Sequence, residues 1–216
     1  NLTEAQINES GSEFDSVVYP QMTTSFGTGY DRDSDGKLAI LLYDIQDGYV
    51  YGQSNSYVGG YFDRYDLGGS GITSNKMDVI HIDTYPAMGT DKSTPSIAGA
   101  KSTIVHENQH LINFSYSWPR GLTEMPLWLN EGLSMAAQHM FYGVQTSRIT
   151  YYNNSTSIQN GRSLLYWDNS NDVLSNYSLS YLFVQYLRTQ TKDYSGGGTE
   201  LYKTMIQSTN RTATVV

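Results

Sequence analysis

His106-Glu107-Asn108-Gln109-His110 places two imidazoles four residues apart with a carboxylate beside the first. On a helix this spacing puts both histidines on one face, where they can share one metal ion while Glu107 stands next to it as a general base. With 4 His in 216 residues, such a pattern arises by chance roughly 0.002 times in a chain of this composition. The bland alternative is a helix whose histidines are merely hydrogen-bonded. It is weakened by a third ligand candidate, Glu131, in the segment Trp128-Leu129-Asn130-Glu131-Gly132. Two His and one Glu leave a fourth zinc position open for water, the pattern of a catalytic site rather than a closed structural one. Glu124 is the nearby competitor, but it falls at a helix entrance, where a carboxylate suits the dipole.

Apolar periodicity locates the elements that must hold these groups. Thr94 is suited to cap a helix whose first residue is Pro95, with Ile97, Ala100, Ile104, Val105, Leu111 and Phe114 on its buried side. Pro126 fits the first turn of a second helix, which Leu127, Leu129, Leu133, Met135, Ala136, Ala137 and Met140 continue to about Tyr142. Glu131 then lies inside this helix and faces back toward the first. A third helix is predicted from about Asn171 to Lys192, packed through Leu174, Tyr181, Leu182, Val184 and Leu187, and a short last one over Leu201 to Ile206. Residues 143 to 170 read as irregular. Residues 12 to 93 read as mostly strand and turn, with apolar runs at Leu38 to Ile45 and Val79 to Ile82 between glycine-rich breaks. His81, inside the second of these runs, reads as structural.

Bulk properties exclude several function classes. A net charge of −8 and a pI near 4.8 argue against nucleic acid or anionic membranes as partners. No apolar run reaches the length of a membrane span, and no leader-like segment opens the sequence, so export implies a leader already removed. The absence of Cys removes disulfides, thiolate metal sites and Cys nucleophiles. Sparse charge, at 16%, with 19 Tyr and 20 Gly suits an extracellular bacterial protein. Asn-x-Ser triplets at Asn113 and Asn176 are not read as glycosylated, since Asn113 falls within the zinc helix. The polar end, 210 to 216, suggests that a longer chain continues.

The His-Glu-x-x-His helix, the Trp-Leu-Asn-Glu-Gly segment and the gap of about twenty residues between them resemble the gluzincin branch of zinc metallopeptidases. Three further blocks, Asp31 to Lys37 before the apolar strand, Asn75 to Asp83, and Asn176 to Phe183, occur in an order similar to the hyicolysin family of secreted bacterial neutral proteases. The resemblance covers roughly residues 12 to 192. It implies an α+β, zincin-like fold in one catalytic domain, mainly β over 12 to 93 and mainly helical over 94 to 206, with an active-site cleft between the two parts. It also implies a secreted, monomeric zinc endopeptidase acting on protein or peptide substrates, with Glu107 as base and acid. The strand near Met77 to Asp83, with Asp78, Ile80 and Ile82, would be the edge along which an extended peptide lies. A donor to the oxyanion would come from a later helix, where Tyr177 matches best and Tyr181 and His139 are the alternatives.

One departure concerns Met135, which stands where several gluzincins place an Asp to orient a zinc histidine. Ser134, Asn130 or a backbone carbonyl would have to take that role. Two rival functions are weighed against the endopeptidase. An exopeptidase should show a cluster that anchors a terminal amine or carboxylate, and the sequence reveals none. A binding module with a structural zinc has no use for Glu107.

Asp31-x-Asp33-x-Asp35-Gly36-Lys37 opens like a calcium loop, with hard oxygen donors on alternate residues and a Gly where the chain must turn. Leu42 occupies the twelfth position, usually a bidentate Glu, and sits in a strand, so a helix-loop-helix hand is not expected. Asp31, Asp33, Asp35 and Lys37 are the candidate calcium positions, with Asp44 or Asp47 as extra ligands. The plain alternative is an Asp/Gly turn needing no ion.

Overall fold

Phe14, Val18, Met22 and Phe26 recur every four residues, and each is buried in the computed structural model, which describes residues 2–54, 56–169 and 171–212. This spacing is helical, and the segment folds as α1 (Glu4–Glu13), a π-helical turn (Phe14–Val18) and α2 (Tyr19–Ser25). Thr3 starts it with a capping box: its hydroxyl accepts from the Gln6 N–H, and the Gln6 side chain takes the Thr3 N–H. Residues 12 to 25 are therefore helix rather than strand and turn. One apolar residue per turn among polar neighbours makes too narrow a stripe to stand out in the sequence.

The strands of the described residues are β1 (Ala39–Tyr43), β2 (Gly60–Tyr61) and β3 (Val79–Asp83), in the order β1-β3-β2. β1 runs parallel to β3 from Ala39↔Val79 to Tyr43↔Asp83, and β2 pairs antiparallel at Gly60↔Ile82 and Tyr61↔His81. Every residue of β3 is buried, His81 and Asp83 among them, as suits a strand covered on both faces. β3 is thus the central strand, and this corrects the expectation of a peptide-docking edge at Asp78, Ile80 and Ile82. Ile80 and Ile82 are closed off from solvent, and the Asp78 carboxylate accepts the Arg32 N–H at 3.0 Å. His81 is structural as expected: its Nε2 lies 2.8 Å from Asp66 Oδ2 on α3 (Arg64–Gly68), and its ring stacks on Tyr61.

The helix carrying the histidines is α4 (Lys101–Ser117), preceded by a 3-10 turn at Ile97–Gly99. It begins later than Pro95 because the Thr94 hydroxyl is spent on Asp91 Oδ2, 3.0 Å away, and the Ser96 N–H is drawn to the Met88 carbonyl at 2.7 Å. α5 (Leu127–Tyr142) and α8 (Val173–Thr191) match their predicted spans closely, and α9 (Glu200–Gln207) follows. The stretch read as irregular contains α6 (Thr146–Asn154) and α7 (Thr156–Gln159). α5 and α8 approach closely: a Cβ at Gly132 would stand 2.7 Å from Val184 Cγ2 and 3.1 Å from the Ser180 carbonyl. Ser175, Asn176, Ser178 and Ser180 fill the buried side of α8, while Leu174, expected to pack, is exposed.

The chain divides into two compact units, Asn1–Thr23 with Gly29–Leu111, and Thr24–Thr28 with Ile112–Val216, so the division runs inside α4. The first holds the sheet over a core that includes Leu67, Val79, Ile80, Ile82 and Val105. The second is helical, with Leu129, Leu133, Tyr181 and Val184 in its core and Phe26 stacked on Tyr202 at 5.3 Å. The architecture is accordingly mixed α+β and compatible with a zincin-like fold. Among the described residues no helix is long and apolar enough to cross a membrane. The end of the polar tail, 213–216, lies outside the described residues.

Candidate metal centre

Helical rise carries His106 and His110 onto one face of α4, one turn apart, and their Nε2 atoms approach to 3.1 Å with the rings at 78°. Two nitrogens bound to one zinc at about 2.0–2.1 Å and the tetrahedral angle stand about 3.3 Å apart. A direct N–H···N bond between the rings also accounts for the distance, but leaves the third member unexplained. His106, His110 and Glu131 each present a ligand atom, all within 4.8 Å of one another. Two imidazoles and one carboxylate form a donor set suited to zinc. The register of α5 is tied to α4 by the Asn113 amide, which donates to Asn130, the residue before Glu131. Asn130 and Ser134 also meet each other, the Ser134 hydroxyl donating to the Asn130 carbonyl at 3.2 Å. Glu107 is buried at 7% exposure, next in sequence to the first histidine. Glu124 is exposed and outside the group.

Around Tyr177 the second unit builds a set of contacts that the sequence did not foretell. Tyr177 is half-buried on α8; the Arg148 guanidinium lies over its ring at 4.9 Å, and Trp167 meets it edge-on at 5.0 Å. Arg162 and Asn176 bind the Trp167 segment to α8: Arg162 Nε donates to Asn176 Oδ1 at 2.7 Å, and the Asn176 amide donates to the Asp168 carbonyl at 3.1 Å. Asp172 does the same for α6 and α7. It accepts from the hydroxyls of Tyr151, Ser155 and Ser175. Burial alone would raise the Asp172 pKa, but hydroxyls from Ser157, Ser175, Tyr151 and Ser155 hold it well below the usual carboxylate range. Burial pushes the Arg148 pKa down, while the Tyr177 phenol and the Glu131 carboxylate act the other way.

Tyr181 and His139, the alternative oxyanion donors, are committed to each other. The Tyr181 hydroxyl lies 2.7 Å from His139 Nδ1 and accepts the Gln145 N–H at 3.1 Å, and Tyr181 is buried at 1% exposure. Burial, assisted by the charge of Arg188, lowers the His139 pKa. This pair closes the C-terminal end of α5 onto α8. Asn113 and Asn176 are both buried at 3% exposure, as befits side chains that are not glycosylated.

In the acidic loop the carboxylates that converge are Asp31, Asp33 and Asp78. Asp35 is not among them: it accepts the Lys37 N–H at 2.8 Å, while Asp31 accepts the Gly36 N–H at 3.0 Å. Of the expected calcium positions Asp31, Asp33, Asp35 and Lys37, the carboxylates that come within reach of one ion are Asp31 and Asp33, joined by buried Asp78. Asp44 pairs with Lys92 at 2.9 Å, and Asp47 accepts from the Val58 and Tyr49 N–H groups, which hold its pKa down. Burial raises the Asp78 pKa, the Arg32 N–H opposes this, and the charges of Asp31 and Asp33 raise it further. Should a divalent cation relieve that repulsion, millimolar calcium raises the melting temperature of zinc-saturated protein through binding to the folded state alone. Identical melting curves with and without calcium identify the loop as a plain turn.

No family model matches the chain. Over an alignment of 218 residues it is 43% identical to the neutral metalloprotease ShpI of Staphylococcus hyicus, an alignment that takes in 98% of this chain and 48% of that protein. The chain thus spans about half the length of that relative, and the likeness extends over nearly all of this chain.

Proposed function

We propose that this chain, similar as it is to a neutral metalloprotease, is a secreted zinc endopeptidase of the gluzincin type, akin to the hyicolysin family, acting on proteins or peptides. The observation that carries this reading is the convergence of His106 Nε2, His110 Nε2 and the Glu131 carboxylate. These three residues would hold the zinc, leaving a position for substrate or water. Bound there, zinc polarises a carbonyl and acidifies water.

The chain's own residues do the rest. Glu107 takes a proton from the attacking water as the new C–O bond forms, and passes it to the amide nitrogen as the C–N bond breaks. Tyr177 donates its phenolic hydrogen to the oxygen on which negative charge develops. The contacts of Arg148 and Trp167 fix its ring for that purpose. Tyr177→Phe is expected to lower kcat by about 10²–10³-fold with little change in KM or zinc content. If Tyr181→Phe is instead the crippled variant, the donor lies one helical turn along.

Incubation of the zinc-loaded protein with an unbiased peptide library, followed by product mapping, tests the activity as a whole. Cuts at internal bonds, abolished by chelation and restored by zinc, are the expected result. Removal of single residues from one terminus identifies an exopeptidase, and an uncut library with zinc still bound identifies a binding module.

A further inference from the structure

Arg148 reaches Tyr177 from α6 and, among the described residues, has no hydrogen-bond or ion-pair partner for its guanidinium. None of its guanidinium nitrogens is among the buried unpartnered atoms, so the N–H edge is open to solvent and to an oxygen that displaces water there. Stacking on an aromatic face engages the plane of the group and leaves its N–H edge available for a forked contact with oxygen. Glu131 lies near enough for its charge to act on this guanidinium without pairing with it. A cation with open donors therefore lies over the phenol proposed as oxyanion donor and within electrostatic reach of a metal-ligand candidate. Its seat is firm, because Asp172 binds Tyr151 of α6 and Ser155 at the start of α7 to Ser175 of α8.

We propose that Arg148 holds the substrate, its N–H edge taking an oxygen acceptor of the bound peptide, either a main-chain carbonyl or an acidic side chain, beside the carbonyl that reacts. This rests on the peptide-hydrolase reading of the same site. The contact sets the register of the peptide, so that the scissile carbonyl meets Tyr177 rather than a neighbouring peptide group. The requirement is for a fork of donors on a ring-stacked plane, which a lysine does not supply.

The test uses two peptides, one free of acidic residues and one of the same sequence with Glu substituted along it. Their binding is measured by calorimetry to the zinc-loaded Glu107→Gln protein and to the same protein carrying Arg148→Ala. Steady-state kinetics are measured for Arg148→Ala and Arg148→Lys in the otherwise unaltered chain. Loss of a hydrogen bond to a charged donor predicts binding weaker by about 10- to 100-fold. KM should rise more than kcat falls, Arg148→Lys should recover only part of the loss, and added guanidinium ion should restore part of the Arg148→Ala activity. Equal losses on both peptides assign the acceptor as a main-chain carbonyl, and a loss confined to the Glu-bearing peptide assigns it as a carboxylate. Undiminished binding of both peptides overturns the proposal. A loss that follows reduced zinc content or melting temperature, without rescue by guanidinium, overturns it as well. If the unaltered chain leaves both peptides uncut yet binds them through Arg148, the hydrolase reading falls and the holding role stands.

Discussion

Glu107→Gln is expected to lower kcat by about 10²–10⁴-fold, the range for a positioned general acid–base, while zinc content and melting temperature stay near those of the parent. The amide has the shape of the carboxylate it replaces, so a side chain buried at 7% exposure leaves no cavity behind. An uncharged group at that depth also costs less to bury than an ionised one. The variant thus separates proton transfer from folding and from metal binding. Stopped assays with a cleavable peptide, beside elemental analysis and thermal melting, measure the three quantities independently. Near-parental turnover in the zinc-replete variant would falsify the assignment of Glu107 as base.

Single alanine substitutions of His106, His110 and Glu131 are expected to weaken zinc binding by more than about 100-fold each and to abolish peptide cleavage at limiting zinc. The size follows from comparison: loss of a residue that merely orients a ligand costs about 10–100-fold in metal affinity, and loss of the ligand itself must exceed that. Competition with a chromophoric chelator gives the affinities. Glu131→Ala is the decisive variant, because it removes the one ligand candidate that does not lie on α4. Full occupancy in that protein removes Glu131 from the ligand set and leaves two histidines that share a hydrogen bond.

The parts of the molecule legible in the sequence are those whose physics is local. The i, i+4 spacing of His106 and His110 needs only a helix, and the apolar run around Glu131 marks α5 almost to its last residue. What escaped depends on partners distant in the chain. β3 reads as an apolar strand, but its place between β1 and β2 is set by pairing with residues some twenty to forty positions earlier. Asp78 completes the acidic cluster from outside the Asp-rich loop, because its carboxylate accepts the Arg32 N–H. α6 has no buried residue and no apolar stripe, so neither it nor the position of Arg148 leaves a periodic trace. The serines of α8 run against the usual rule: Ser175, Ser178 and Ser180 are buried, Ser180 where α8 passes close to Gly132 of α5, and hydropathy does not report that approach.

The Asp172 knot sits among hydroxyls at the start of α8, and its only charge-bearing member is a carboxylate held ionised well into acid. On the proposed function, the ion would be gripped from α4 and α5, while the peptide would be gripped from α6 and α8, where this knot holds the elements together. Occupancy by metal and readiness to turn over are then separate properties of one protein. A preparation could titrate as fully loaded and still contain a slow fraction in which the knot has loosened, so that active-site counting by metal content alone would overstate the number of working molecules.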